Sequence, residues 1–452
     1  MLDSGVNVTP DTLHRTAKYF MDTGRAASHQ DALGLLRQFG LLVRVGGEVA
    51  ESRDHQLALL TLVNVASRTC LGGVRVQGNL DCRLMVPLVN AVTLCEAVEV
   101  LGADHATGLD ERWPVAHIGT VNAPPSTGWR LTWEGWRGGV VPLDWERRLP
   151  ETGGGGLSPV LAAAACAAEL FLYHAGDHSL AGRRPSGLSL WNPGADWLVT
   201  DQTESKIELL PDALWLIGLG NLGQAYLWIL GALPFGGTDS LTLVLQDYDR
   251  LTPANESTSI LTWERMIGKK KTRAMARWAE SRGFRTILEE RSFGPWSRRG
   301  PSDPNVALCG VDNALARASL EEAGFGLVVE TGLGAGAQSF KNFSLHSFPS
   351  SLKANKLWSE VAPHELPQTP AYASSKLPNL DACGITQLAS RTIGVPFVGL
   401  LAGLLGVSEI LRRLHGGHSL ELASGSVSAL ADIETVVGSK EIYAHGFLPV
   451  AE

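Results

Sequence analysis

Cysteine is scarce in this 452-residue chain: six residues, at 70, 82, 95, 166, 309 and 383. None forms a Cys-x-x-Cys pair, so the usual ligand spacing of a structural zinc is missing. Such isolated thiols are expected to be reduced, mostly buried and inert, with one or two reactive. Basic residues are also in short supply. Lys and Arg number 38 against 46 Asp and Glu, a net charge of −8. That argues against a general nucleic-acid binder, which carries a basic stripe. The start of the chain lacks the basic n-region and apolar run of a secretory signal. A membrane-spanning helix needs about 20 apolar residues. The uncharged run at 393–408 is shorter and interrupted by Pro396, so a buried helix is expected there. The expectation is a cytoplasmic protein with no membrane and no nucleic-acid partner.

What the chain does have is ordinary globular composition, 44% hydrophobic and 19% charged. Its length accommodates two or three domains. Two parts are expected, 1–200 and 201–452, separated by the Pro-, Gly- and Ser-rich stretch 181–197, which reads as a linker or surface loop. In the second part, strand-like and helix-like segments alternate: 214–217, 222–230, 240–245, 269–281, 306–309, 314–323 and 327–329. This pattern predicts βαβ units in a doubly wound, Rossmann-like, mostly parallel α/β sheet, with ligands at the carboxyl ends of strands. In the first part, 56–66 reads as a helix and 73–77 as a strand, while 87–101 fits either. Two small-residue helices, 153–176 and 394–417, each carry an acidic-aliphatic pair, Glu169-Leu170 and Glu409-Ile410. They suggest two pseudo-equivalent halves, of which the second alone keeps a nucleotide turn.

That turn is Gly218-Leu-Gly220-Asn-Leu-Gly223, between an apolar strand and a helix. Glycines there let backbone amides approach phosphates, and the helix N-terminus adds a positive dipole. By itself it fits a dinucleotide, ATP or an unliganded turn. Asp247 closes the next strand, 24 residues after Gly223, where an acid holds ribose hydroxyls. Asp249, Asn255 and Lys271 follow. Lys271 ends a Lys-Lys-Lys run that would otherwise be a solvated basic patch. Asp312-Asn313 closes a further apolar strand, with Arg317 after it. A carboxylate beside phosphates suits Mg²⁺, or it caps a helix.

The order Gly-x-Gly-x-x-Gly, Asp-x-Asp, Asn, Gly-x-x-Lys and Asp-Asn-x-x-x-Arg resembles the E1-like adenylyltransferases, the ThiF, MoeB and HesA proteins and the ubiquitin-activating enzymes. The resemblance covers about 205–415 and is closest to E1 enzymes of bacterial ubiquitin-like conjugation systems, the Bil type of antiphage operons. It implies that Gly218, Gly220 and Gly223 cradle ATP phosphates. It implies further that Asp247 holds the ribose, Asn255 and Lys271 the phosphates, and Asp312 a magnesium ion. The partners implied are a ubiquitin-like protein ending in Gly and an E2-like enzyme, with homodimerisation possible. The family has an Arg three residues after the Asn; Thr258 stands there. Arg265, Lys269 or Arg273 would substitute, or an Arg from the first half, for which Arg53 is the candidate. Conjugating members also carry a thioester cysteine between the sheet and the last long helix. Cys383 lies in that region, within a crossover expected at about 341–390. A helix start there would favour its thiolate; the alternative is a small buried hydrophobe. Three other functions fit parts of the pattern: sulfur-carrier adenylation, NAD(P)-dependent oxidoreduction and an inactive carrier-binding scaffold.

Overall fold

The computed structural model describes residues 8–106, 113–123, 126–236, 241–359, 366–440 and 442–451. The first part begins with α1 (Ala17–Asp22) and α2 (His29–Leu36). Its strands are β1 (Gly40–Val45), β2 (Gly73–Gln77), β3 (Asp104–His105), β4 (Val115–Ile118), β5 (Gly128–Glu134), β6 (Arg137–Pro142) and β7 (Ser186–Ser189). Between them run α3 (Arg53–Ala66), α4 (Leu94–Val100) and α5 (Ser158–Ala175). The sheet order is β3-β2-β1-β4-β5-β6-β7. It is parallel through β5 and antiparallel thereafter.

The second part contains β8 (Leu209–Pro211), β9 (Ala213–Ile217), α6 (Asn221–Ala232), β10 (Thr242–Gln246), α7 (Pro253–Glu256), α8 (Lys271–Glu280) and β11 (Arg285–Glu289). There follow β12 (Val306–Cys309), α9 (Ala314–Ala318), β13 (Leu327–Leu333), β14 (Asn342–Phe348), α10 (Ala354–Leu357) and α11 (Ala382–Ser390). It ends with α12 (Pro396–Leu414), β15 (Leu420–Ser426), β16 (Ala429–Val437) and β17 (Phe447–Pro449). The main sheet order is β11-β10-β9-β12-β13-β14-β15-β16, and β17 pairs with β8. Five parallel strands followed by antiparallel ones repeat the plan of the first sheet. The chain is α/β with mostly parallel sheets, as its alternating segments imply.

The two sheets share one apolar core. α5 and α12 supply much of it, because Ala and Gly let helices pack closely. Glu169 and Glu409 are fully buried at matching places. Glu169 binds Arg184 and the Gly182 N–H, while Glu409 binds Arg412, Arg413 and the Leu420 N–H. Each carboxylate thus ties its helix to the segment that follows. One helix among the described residues, α5, is long and apolar enough to cross a membrane, and 89% of it is buried in the protein. The run at 393–408 belongs to the buried α12.

Several expectations change. The stretch 181–197 contains β7, whose four residues are all buried. The signal was weak because its strand is Ser-Gly-Leu-Ser. A Cβ at Gly187 would meet Trp197 and the Gly138 carbonyl within 2.6 Å, so packing rather than strand propensity selects that sequence. The expected crossover at 341–390 begins with β14, a strand of the sheet, so any crossover starts after Phe348. The 314–323 helix stops at Ala318, and 87–101 resolves into α4.

Arg68, just after α3, joins the two parts. Its guanidinium donates to the carbonyls of Glu256, Ile260 and Thr262 at 2.5, 3.0 and 3.1 Å. It also lies over the Trp263 ring. Replacing it with Leu removes the donor from the Glu256 and Thr262 carbonyls and leaves Ile260 with Asn64 Nδ2 alone. We expect a loss of roughly 3 kcal/mol of stability, readable as a lower denaturant midpoint.

Candidate active site

The glycine turn lies between β9 and α6, and each glycine has a different reason to be there. Gly218 has φ +87°, a left-handed conformation that side chains resist. A Cβ on Gly223 would sit 2.0 Å from the Gly218 carbonyl. Gly220 opens α6 and faces empty space, so an incoming group can approach its backbone.

Asp247 follows β10 and supports the turn directly. Its Oδ2 accepts from the Leu219 N–H at 2.8 Å, and Oδ1 accepts from the Asp249 N–H at 2.8 Å. Lys271 starts α8 and reaches the same spot. Its Nζ is 2.9 Å from Asp249 Oδ2 and 3.6 Å from Asp247 Oδ2. Burial works against the ammonium, yet the two carboxylates outweigh it and hold its pKa above the ordinary lysine value. Lys271 is therefore a fixed cation, not a solvated patch. Asn255 Oδ1 accepts from the Thr252 N–H in a capping box on α7. Its Nδ2 has no partner recorded among the described residues. Asp312 follows β12 and is exposed. Asn313, not Asp312, caps α9 by accepting from the Ala316 N–H, so the Asp312 carboxylate remains available. Next to Asp247 in sequence, Gln246 lines a cleft together with Trp215, Phe293, Trp296, Phe325 and Arg291.

Arg53 is not in this site. Its guanidinium donates to the carbonyls of Ala232 and Leu233, at the far end of α6 from the glycine turn. Twelve residues of helix separate the two, about 18 Å. Arg273 is also turned away, onto Glu290, while Arg265 and Lys269 are exposed. The arginine that the first half does contribute is Arg15. Its backbone N–H donates to Ser257 Oγ at 3.0 Å, and its guanidinium to the Thr392 carbonyl at 2.5 Å and to Thr392 Oγ1. Burial, then Arg391, lower its pKa to about 10, and Asp312 opposes them. Arg15 and Arg391 thus flank Thr392, and the Asp312 carboxylate acts on Arg15. A Cβ at Gly394 would meet Thr258 Cγ2 at 2.7 Å and Arg15 Cβ at 3.5 Å. Thr258 is buried and packed there beside Arg15. No local motif marks Arg15; it lies 242 residues before Ser257.

Two neutral histidines brace the Arg15 segment. His14 Nδ1 accepts from the Ala17 N–H, and His29 Nε2 accepts from the His14 N–H, both at 3.3 Å. Burial pushes His14 down to about 3, with His29 adding to it, and burial alone takes His29 to about 4. An unfolded histidine titrates near ~6.5. Between about 4 and 6.5 the unfolded chain binds more protons, so stability rises with pH there. We expect full histidine-linked stability above about pH 6.5 and a progressive loss as pH falls toward 4. A thermal midpoint series over this window checks it.

Cys383 is the second residue of α11 and is exposed; the helix is capped by Asp381, whose Oδ1 accepts from the Gly384 N–H at 2.7 Å. Gln387 Nε2 lies 3.7 Å from its Sγ. α11 buries only Leu388 and Ala389 fully. Its far end is Arg391, paired with Asp11. The thiol is therefore about 12 Å along the helix from the cation cluster. By contrast Cys70, Cys166 and Cys309 are buried, and burial raises all three thiols, Cys70 and Cys309 to about 12. His346 sits in β14 against Glu330; His364 lies outside the described residues.

Residues 40–190 match the family described as BilD N-terminal domain, and residues 210–417 match BilD C-terminal domain. The bacterial E1-like protein BilD of Collimonas sp. (strain OK412) is 52% identical over 98% of this chain and 97% of its own. The chain belongs to the BilD family. It is an E1-like protein of that family. Among solved structures, E. coli MccB matches 50% of this chain and 64% of its own at 11% identity, TM-score 0.35. E. coli TcdA, a tRNA N6-threonylcarbamoyladenosine dehydratase, matches 45% of this chain and 85% of its own at 13% identity, TM-score 0.29.

Proposed function

We propose that this BilD-family protein activates a ubiquitin-like protein by ATP-dependent adenylation of its C-terminal Gly. The activated carrier passes to Cys383 as a thioester and then to an E2-like partner, in bacterial antiphage defence. The observation that carries this reading is Lys271, held as a cation by two carboxylates beneath a glycine turn. A dinucleotide needs no such charge there; a triphosphate does.

Gly218, Gly220 and Gly223 leave backbone amides facing the phosphates, and Asp247 holds the ribose. The aromatic cleft lined in part by Gln246 takes the adenine. Lys271, Asn255 Nδ2, Arg15 and Arg391 surround the polyphosphate. Asp312 is the residue suited to a Mg²⁺ ion, which would neutralise charge on the pyrophosphate. The carrier's carboxylate oxygen attacks the α-phosphorus; the α–β anhydride breaks, and pyrophosphate leaves with its electron pair. Such a step is positioning and charge stabilisation, for which three cations suffice without a base. The Cys383 thiolate then attacks the acyl carbonyl and AMP departs. At about 12 Å from the cluster, α11 must shift, and its sparse burial makes that inexpensive. The exposed thiol favours thioester chemistry over simple sulfur-carrier adenylation.

The test is ATP–pyrophosphate exchange with a ubiquitin-like protein ending in Gly. Exchange is expected with that carrier and not with one lacking the terminal Gly. Reduction or oxidation of a nicotinamide without exchange would overturn the reading. Arg15→Ala is expected to slow exchange about 10²-fold, the usual worth of one charge-stabilising donor.

A further inference from the structure

The first half keeps the sheet but not the nucleotide residues. Gly78 follows β2 where Asp247 follows β10. After β4 come Gly119-Thr120, where Gly310, Val311 and Asp312 follow β12. The turn after β1 is filled from within. The Glu48 carboxylate lies against Gly46 and Gly119, and its Oε1 accepts from the Thr120 N–H at 3.0 Å.

The face of this sheet turned away from the shared core is unlike its counterpart. In the second half that face is mainly apolar, built from Trp215, Ile217, Val244, Ala307 and Cys309, and its polar members are paired: Gln246 accepts from the Trp215 indole N–H, and Glu330 meets Arg317 and His346. In the first half, strand alternation puts Leu41, Val43 and Val45 in the core and turns Arg44 to the other side. Arg44 is in register with Gln77 of β2 and with His117 of β4, and His117 with Arg130 of β5. Gln77, Arg44, His117 and Arg130 therefore form one row across four strands. Arg44 is 9% exposed and His117 4%. Trp113 packs on Gly40 and Gly73 at the start of the strands, with Arg75 over its ring.

Among the described residues this row has more donors than acceptors. Arg44 Nε donates to Gln77 Oε1 at 3.0 Å. Arg44 Nη1, Arg130 Nε and both ring nitrogens of His117 are buried without a hydrogen-bond partner among the described residues. Glu151, the carboxylate that acts on Arg130, is already shared by Arg148 at 3.0 Å and His55 at 3.1 Å. Buried polar groups are ordinarily paired. Burial, then Arg130 and Arg44, push His117 down to about 4, so its ring is neutral and offers one N–H. Two cations facing each other across that ring repel a metal ion and attract an anion.

We propose that this row is a binding site for a phosphate-class oxyanion, seated over His117 between Arg44 and Arg130. Neighbouring strands lie about 4.8 Å apart, so the two guanidiniums reach the anion from opposite sides. It accepts from Arg44 Nη1, Arg130 Nε and the His117 N–H. A carboxylate offers two oxygens and one charge; a phosphoryl group offers three oxygens and up to two charges, which matches this set better. The source is inorganic phosphate or the phosphoryl end of a nucleotide. The degenerate half would then sense such a ligand outside the reaction site, and the proposal stands whichever carrier the enzyme activates.

The experiment follows the His117 ring by nitrogen NMR in the full chain labelled at its 12 histidines, assigned with His117→Phe. Lys271→Ala serves as background, so that binding at the adenylation site is weakened. Inorganic phosphate and ADP are titrated separately at constant ionic strength. A saturable shift of the His117 resonance is expected, absent in Arg44→Met and Arg130→Met. Response to phosphate alone identifies the free ion as the source, and response to ADP alone identifies a nucleotide. No response to either, or an equal response in both arginine variants, overturns the proposal. Should a variant not fold, a phosphate-dependent rise in the thermal midpoint over chloride, accompanying the His117 shift, is the supporting result. Its absence is the contrary one.

Discussion

Lys271→Ala abolishes carrier-dependent pyrophosphate exchange, a fall of about 10³-fold, while the protein stays folded. The size follows from what the lysine neutralises. Asp247 and Asp249 lie 3.6 and 2.9 Å from its ammonium. Without it, two carboxylates face an incoming triphosphate, so attraction becomes repulsion. Folding survives because position 271 opens α8, and Ala is the best helix former. Lys271→Arg is not expected to restore activity. The side chain is 11% exposed, and a guanidinium is too wide for the space between two acids. Exchange measured beside a thermal midpoint separates the chemical loss from an unfolding one.

Cys383→Ala has a different signature. Exchange remains as in the unmodified protein, because adenylation uses no thiol and Cys383 stands a helix length from the cations. The covalent carrier adduct disappears completely. Cys383→Ser leaves an adduct resistant to thiols, since an oxygen ester replaces the thioester. If both variants also lose exchange, Cys383 is part of the adenylation site and the distance argument fails. The other five cysteines are buried or half-buried, so none is placed to take over. Reducing and non-reducing gels distinguish these outcomes.

The second sheet was legible along the chain because its signals are local. Apolar runs, a glycine turn and the spacing from Asp247 to Lys271 all sit within some sixty residues, and strand, turn and helix follow from neighbouring side chains. Arg15 was not legible. It reaches the site through contacts with Ser257 and Thr392, which exist only after the two halves pack. Arg53, chosen for its place near a helix start, instead donates to the end of α6. The same limit hid β7, whose Ser-Gly-Leu-Ser sequence is selected by the close approach of Trp197 and Gly138. The row of Gln77, Arg44, His117 and Arg130 is scattered between positions 44 and 130. Strand register alone brings it together. Cys383, which its neighbours put in a loop or at a helix start, lies at a helix start because Asp381 caps α11; its exposure was a matter of tertiary packing.

The most direct test of the account is the intact mass of the protein after incubation with ATP, Mg²⁺ and a ubiquitin-like protein ending in Gly. The account predicts a mass gain equal to the carrier minus one water, removed by a thiol reductant and absent in both Lys271→Ala and Cys383→Ala. An unchanged mass together with carrier-dependent exchange would contradict the thioester step and leave an adenylating enzyme alone. An unchanged mass without exchange would contradict the whole account.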